Sequence, residues 1–140
     1  MTAPRAKSAA DTSVIVAAFA SWHQHHGPAR VALDETSATI AHCLLESYSV
    51  LTRLPAPHRV APDVAAMFLG MRFSGTPLVL PAGAHRSLVS RFAADGIAGG
   101  AVYDALVGAT AAHHGLTLVT LDTRAEPTYA RVRATVRRAA

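Results

Sequence analysis

Four carboxylates lie within or beside apolar stretches of this chain, where a charged side chain needs a partner. They are Asp11, Glu46, Asp104 and Asp122, while the other five acids occur in polar or turn contexts. Burying one unpaired carboxylate costs several kcal/mol, and bringing four together adds mutual repulsion. A hard divalent cation offsets both costs, because Mg²⁺ and Mn²⁺ prefer carboxylate and water oxygens. The sequence therefore predicts an acidic site that holds Mg²⁺ or Mn²⁺.

Each acid also has an explanation that involves no metal. Asp11 is suited to cap the N-terminus of a helix, and Asp104 in a first helical turn is favoured by the helix dipole. Glu46 has Arg53 as a possible ion-pair partner, and Asp122 is suited to start a turn. The metal hypothesis therefore depends on a fold that brings the four side chains together.

Strand and helix patterns alternate along the chain. The strand candidates are the short run Ser8–Ala10, then Ala38–Ala41, Thr76–Leu80 and Leu116–Leu121. Residues 129–136 are expected to form a short helix or turn and a weak edge strand. This alternation indicates a parallel sheet covered on both faces, whose ligands bind at the carboxyl ends of the strands. Asp11 and Asp122 each follow a strand candidate, so both are expected at that edge. The predicted fold is α/β, a three-layer sandwich with helices on both faces of a central, mostly parallel sheet.

Apolar spacing predicts the helices that cover this sheet. Helices are expected over 14–26, 42–53, 62–72 and 84–94, and over the glycine-bounded segment that carries Asp104. The residues predicted to face the core are Leu44, Leu45, Tyr48 and Leu51, then Val64, Met67, Phe68 and Met71, and finally Leu88, Val89 and Phe92. Gly27 and Pro28 are expected to end the first helix.

Length and composition limit the class of protein. The 140 residues suit one domain with a real core, and 51% hydrophobic against 16% charged residues argues against disorder. The single cysteine, Cys43, excludes an internal disulfide, and no apolar run reaches the ~18 residues of a membrane span. We expect a cytoplasmic protein with a mobile basic tail at 1–7, one domain at 8–136 and a C-terminal tail at 137–140.

The positive charge permits a nucleic-acid partner without establishing one. The formal net charge is +4, and all but one of the 13 basic residues are arginine, whose forked donors suit phosphate oxygens. An alanine- and arginine-rich composition is explained equally well by genome base composition. Arg124, beside Asp122, is a candidate contact for substrate phosphate or a partner, and a solvated turn arginine is the alternative.

Four motifs occur in a fixed order along the chain, namely DTSVIVAAF, LLESYSVLTRLP, GGAVYDALVGATAAHHG and TLVTLDTRA. In this order they resemble the PIN-domain ribonucleases, and most closely the VapC-type toxins of bacterial toxin–antitoxin pairs. The motifs are short individually but distinctive in order and spacing, and the resemblance covers nearly all of residues 8–136. It implies a PIN-like version of the sandwich described above.

The resemblance also implies a site and an activity. Asp11, Glu46, Asp104 and Asp122 would gather around Mg²⁺ or Mn²⁺ as ligands and catalytic groups, and Ser13 and Thr120 would orient the carboxylates through their hydroxyls. The activity implied is an endoribonuclease toxin that hydrolyses tRNA, rRNA or mRNA, since a carboxylate-bound metal activates water and polarises phosphate. A small antitoxin protein and a homodimer are the partners implied.

Two other functions compete with this interpretation. The first is a catalytically silent PIN-like domain that binds RNA or a protein partner. The second is a Mg²⁺-dependent phosphatase, which normally carries paired acids after its first strand and a suitably placed lysine. Here Asp11-Thr-Ser13 supplies one acid, and Lys7 is the only lysine, so the phosphatase is the weaker alternative.

Overall fold

A three-stranded parallel sheet forms the centre of the protein. The structure, a computed structural model, describes residues 7–140. The strands are β1 (Ser8–Ala10), β2 (Thr117–Thr120) and β3 (Thr135–Arg138), in the spatial order β1-β2-β3. Ser8 lies opposite Thr117, which in turn lies opposite Thr135. The three carboxyl ends therefore meet at one edge, as predicted for a parallel sheet.

Two further segments extend the sheet through single bridges rather than full strands. Ala38 pairs with Ala9, and Ile40 pairs with Leu78, both in parallel orientation. These are the segments in which the sequence predicts strands over 38–41 and 76–80. Pro77 and Pro81 flank the second segment, and proline has no N–H to donate to a ladder, so pairing there stops at one bridge.

In the described part of the chain, seven helices surround the sheet. They are α1 (Thr12–Phe19), α2 (His26–Glu35), α3 (Ala41–Thr52), α4 (Pro62–Arg72), α5 (Ala84–Asp95), α6 (Ala101–His113) and α7 (Glu126–Arg131). The single helix predicted over 14–26 is wrong, since α1 ends at Phe19 and a second helix begins at His26. Pro28 lies in the first turn of α2, where a missing N–H costs nothing, so it starts a helix instead of ending one. Within residues 7–140, none of the helices combines the length and the hydropathy that crossing a bilayer requires.

The described part of the chain covers the predicted domain, the predicted C-terminal tail and the last residue of the predicted basic tail. Of the basic tail predicted at 1–7, residues 1–6 lie outside the described part of the chain. At the other end β3 runs to Arg138, two residues beyond the predicted domain boundary. The guanidinium of Arg138 donates to both carboxylate oxygens of Glu126, at 2.7 and 2.8 Å, and this pair holds β3 against α7.

The core lies between the sheet and the helices. All three residues of β1 and the last three of β2 are buried, and Val14 and Ile15 of α1 pack in the same cluster. A second cluster joins α5, α6 and the C-terminal segment through Leu88, Phe92 and Val132. Apolar packing in these two clusters therefore positions the elements that carry the predicted acids.

Part of the predicted core is wrong. Leu45 is 73% exposed and Met71 is 80% exposed, and Tyr48, Val64, Met67 and Val89 are exposed as well. In these helices a narrow strip of residues contacts the core, represented by Cys43 and Leu51 in α3 and by Leu69 in α4. Helical periodicity identifies an apolar face, but the width of the face that is covered depends on neighbouring elements.

A close approach of α6 to α7 gives a testable effect at Gly108. A Cβ added there would lie 2.6 Å from Val132 Cγ2 and 3.1 Å from Tyr129 Cδ1, whereas a Cβ at Gly70 in α4 would meet nothing within 4 Å. Gly70→Ala is therefore expected to stabilise the protein by up to about 1 kcal/mol. Gly108→Ala is expected to destabilise it by about 1–2 kcal/mol, because overpacking outweighs the gain in helix propensity. Urea denaturation of the two variants checks this, and equal effects would contradict it.

Candidate active site

The structure places the four predicted acids around one small pocket at the carboxyl edge of the sheet. Asp11 directly follows β1, Asp122 follows β2 by two residues, Glu46 projects from α3 and Asp104 from α6. The pocket has a volume of about 30 Å³, and its remaining lining is Thr12, Ser13, Cys43, Val107 and Tyr129. Four separate elements thus contribute one carboxylate each to a common cavity.

Asp11 forms the buried floor of this pocket and accepts four hydrogen bonds. Its Oδ1 accepts from the hydroxyl of Ser13 and from the backbone N–H of Val14 at 3.4 Å. Its Oδ2 accepts from Thr120 Oγ1 at 2.5 Å and from the phenolic O–H of Tyr129 at 2.7 Å. The side chain is 3% exposed, so these donors replace the water it has lost. Through the bond from Val14, Asp11 also caps α1, which is one of the alternatives that the sequence allowed.

The two hydroxyls predicted to orient the carboxylates link Asp11 to the loop that follows β2. Ser13 Oγ accepts from the backbone N–H of Leu121, and Thr120 Oγ1 accepts from the backbone N–H of Asp122, both at 2.9 Å. Each hydroxyl therefore donates to Asp11 and accepts from this loop. The position of Asp122 is coupled in this way to the floor of the pocket.

Burial raises the pKa values of Asp104 and Asp11. The pKa of Asp104 rises to about 6, chiefly through burial and then through the charges of Asp122, Glu46 and Asp11. Burial also raises the pKa of Asp11, although the bonds from Ser13, Thr120 and Tyr129 oppose the rise. Among the described residues, no lysine, arginine or histidine lines the pocket to offset the charge of these acids.

Glu46 has a partner other than the one considered from the sequence. Its Oε2 lies 3.5 Å from Nε2 of His42, one helical turn earlier, and not against Arg53. His42 and Glu46 are both partly exposed, so the pair lies at the rim of the pocket. The spacing of four residues on one helix places the two side chains on the same face.

Asp122 begins a turn as well as lining the pocket. Its Oδ1 accepts from the backbone N–H of Arg124 at 3.0 Å, which is the turn role considered from the sequence. The Arg124 side chain is 96% exposed, and its Nε lies 4.0 Å from the same carboxylate. An exposed cation beside the acids is free to contact a charged ligand, and the interaction with Asp122 contributes little to stability.

Tyr129 is the site residue that the sequence analysis missed. It lies in α7, 118 positions from Asp11 along the chain, and its hydroxyl reaches Oδ2 through the core. Burial and the nearby charge of Asp11 raise the pKa of Tyr129 far above its ordinary value, so it remains a donor. The sequence carries no local signal for this contact, because only tertiary packing brings α7 to the pocket.

Removal of the Tyr129 hydroxyl is expected to lower stability. Tyr129→Phe leaves a buried carboxylate without one of its four donors, which costs about 1–3 kcal/mol. Tyr48→Phe is the matched control, because Tyr48 is exposed on α3. Urea denaturation of both variants measures the difference, and equal stabilities would show that Tyr129 does not support Asp11.

The donor set of the pocket suits a hard divalent cation. Carboxylate oxygens are the preferred ligands of Mg²⁺ and Mn²⁺, and a cation would relieve the repulsion that raises the pKa of Asp104. Across residues 7–140, no three acidic, histidine or cysteine side chains already lie close enough together to form a metal cluster. An ion in this pocket would therefore keep several of its water ligands, as Mg²⁺ usually does.

Comparison with known proteins identifies the family to which the chain belongs. Residues 9–131 match the PIN domain family. The chain is 48% identical over 128 residues to Ribonuclease VapC40 of Mycobacterium tuberculosis, which covers 91% of this chain and 96% of that protein. It is 44% identical over 126 residues to Ribonuclease VapC27 of the same species, which covers 89% of this chain and 90% of that protein. The search of solved structures gave no significant match. The chain therefore belongs to the PIN-domain family, with VapC ribonucleases among its relatives.

Proposed function

We propose that this protein is an endoribonuclease toxin whose acidic pocket holds Mg²⁺ or Mn²⁺ and hydrolyses RNA phosphodiester bonds. The observation that supports this most strongly is the convergence of Asp11, Glu46, Asp104 and Asp122 on one pocket. The two relatives described above are both named ribonucleases, and each of them covers about nine-tenths of the chain.

The acids of the pocket have two different roles, since some are candidates to hold a cation and one organises the floor. Glu46, Asp104 and Asp122 are partly exposed and are the candidates to hold the ion, directly or through water. Asp11 already accepts four hydrogen bonds, so it contributes its charge and a contact through water. When bound, the ion would lower the pKa of a water molecule and neutralise charge on the phosphate.

The remaining residues of the site position these groups and the substrate. Ser13 and Thr120 hold Asp11 and the loop of Asp122 in one arrangement through four hydrogen bonds. Glu46 is suited to orient the attacking water, because it lies at the rim and contacts His42 rather than Arg53. Arg124 is placed to contact the phosphate backbone of the substrate, since its guanidinium lies open to solvent.

Metal removal tests the proposal directly. We expect the chelated protein to leave a structured RNA intact and to regain cleavage on addition of millimolar Mn²⁺ or Mg²⁺. A cation that binds only the folded state also stabilises it, by about 2.7 kcal/mol at 100 times its Kd, so a higher Tm in Mn²⁺ is a second readout. Cleavage that persists in chelator would contradict the metal site.

The two alternatives predict different results. A silent binding domain would show neither cleavage nor a rise in Tm with Mn²⁺. The phosphatase is disfavoured by the position of Lys7, which precedes the amino end of β1, whereas the pocket lies at the carboxyl edge. The only lysine of the chain is thus at the wrong edge of the sheet to serve that chemistry.

The partners we propose are a small antitoxin protein and a second copy of the chain. An acidic pocket of this kind suits an arginine guanidinium from an inhibitory partner, which would compete with the metal. Val64, Met67 and Met71 lie exposed along one face of α4, and an exposed apolar face of this kind favours self-association. An enzyme that acts on translational RNA would work in the cytoplasm. Light scattering of the purified chain and co-purification with the neighbouring gene product test these assignments.

A further inference from the structure

A pair of stacked aromatic rings, Tyr103 and His42, adjoins the acidic pocket, and within residues 7–140 the hydroxyl of Tyr103 makes no hydrogen bond to the acids. Tyr103 directly precedes Asp104 in the first turn of α6 and is 55% exposed. Its ring is parallel to that of His42, with 5.4 Å between the ring centroids and 4° between the planes. The pair therefore spans from α6 to α3 beside two of the four carboxylates.

The orientation of Tyr103 is set by contacts on both helices. His42 lies at the rim, where 3.5 Å separates its Nε2 from Oε2 of Glu46 on the same helix. The parallel stack then fixes the phenol ring relative to His42, and the exposed half of Tyr103 remains open to solvent. A flat aromatic surface held in one orientation loses little entropy when a second ring packs on it.

We propose that Tyr103 is a stacking platform for a nucleobase that flanks the phosphate to be cut. This inference rests on the proposed function, because a phosphate held at the pocket places its neighbouring nucleosides beside Asp104. Every base has a π face that can stack on an aromatic side chain, and single-stranded RNA is recognised in this way. Bases within a duplex are already stacked on one another. The preferred substrate is therefore RNA that is unpaired at the cleavage position.

Enzyme kinetics with a modified substrate test the platform. The probe is a short unpaired RNA that the protein cleaves, together with the same RNA carrying an abasic residue on each side of the cleaved bond in turn. Tyr103→Ala is expected to raise KM by about 5- to 150-fold on the intact RNA, which corresponds to the loss of one stacked base. On the abasic RNA that lacks the stacked base, the KM values of the wild type and Tyr103→Ala should differ little. Tyr103→Phe should behave like the wild type, as should the control Tyr48→Ala.

A binding measurement separates this inference from the proposed function. The same RNA with 2-aminopurine at the flanking position is titrated with protein in chelator, where no cleavage occurs. Stacking on Tyr103 quenches the fluorescence, so quenching is expected with the wild type and Tyr103→Phe but not with Tyr103→Ala. If the wild type quenches but never cleaves, the proposed function fails and the platform stands.

Several outcomes would overturn the platform while leaving the ribonuclease assignment intact. One is a cleaving wild type with unchanged KM in Tyr103→Ala. Another is a rise in KM for Tyr103→Ala, relative to the wild type, that is equally large on both abasic RNAs. A third is a Tyr103→Ala variant that still quenches 2-aminopurine normally but no longer co-purifies with the antitoxin. That result would assign the ring to a protein interface instead.

Discussion

Replacement of Asp104 by asparagine is expected to lower the rate of RNA cleavage by about 100- to 1,000-fold while the protein remains folded. Asparagine keeps the shape of the side chain but removes one of the charges that would hold the cation. Asp104 is partly exposed in the first turn of α6, and its carboxylate accepts no hydrogen bond from another side chain in the described part of the chain. Its replacement therefore disrupts the electrostatics of the pocket and not its packing.

The stability of the metal-free protein should change in the opposite direction. The pKa of Asp104 in the folded state is about 6, above its ordinary value of 3.8, so the wild type loses stability as pH rises from about 4 through about 6. Asp104→Asn removes this loss, and its Tm near neutral pH should equal or exceed that of the wild type. The variant should also lose the rise in Tm that Mn²⁺ produces.

An exposed acid provides the control for this variant. Asp95→Asn makes the same chemical change at the exposed end of α5 and should retain both cleavage and the response to Mn²⁺. Full cleavage activity in Asp104→Asn would contradict the proposed site. A fall in Tm without metal would show that Asp104 supports the fold rather than the cation.

Replacement of Asp11 by alanine, unlike Asp104→Asn, is expected to cause a large loss of stability. The change deprives four donors of their acceptor, namely Ser13 Oγ, the N–H of Val14, Thr120 Oγ1 and the O–H of Tyr129. Each buried donor left unpaired costs about 1–3 kcal/mol, whereas removal of a carboxylate whose pKa is raised by burial returns part of that cost. Because four donors are affected, we expect a net loss of about 3–5 kcal/mol, a large fraction of the 5–15 kcal/mol that is typical of a domain.

Urea denaturation measures this effect. The midpoint for Asp11→Ala should fall with little change in the slope, and cleavage should be lost even where the variant is folded. Asp95→Ala should lie within about 0.5 kcal/mol of the wild type, because it is a surface change. A midpoint for Asp11→Ala equal to that of Asp95→Ala would contradict the network, since the four donors would then have other partners.

The positions of the four acids and the order of elements were predictable from the sequence. Asp11 and Asp122 follow apolar runs, and the rule that parallel strands share a carboxyl edge predicts their proximity. The predicted bounds of α4 and α5 agree with the structure to within a residue, because apolar spacing and Pro62 define them. Each of these features depends on the residue types within about ten consecutive positions, and the sequence alone shows those residue types.

The faces of the helices were less predictable. Leu45 and Met71 have the same spacing as buried apolar residues, yet both are exposed. The break between α1 and α2 was missed as well, because Pro28 ends a helix or begins one depending on where the preceding turn is placed. The buried face of a helix and the residue at which a helix begins both depend on which elements pack against the segment.

The four acids, the parallel α/β order and the family resemblance, which in turn implies roles for Ser13 and Thr120, can all be read from the sequence. The hydrogen bond from Tyr129 to Asp11 and the exposure of Arg124 become visible only in the folded protein. The physical reason is the range of the interactions. Strand and helix patterns and turn chemistry act between neighbours in the chain, whereas hydrogen bonds and burial at the pocket join residues up to 118 positions apart.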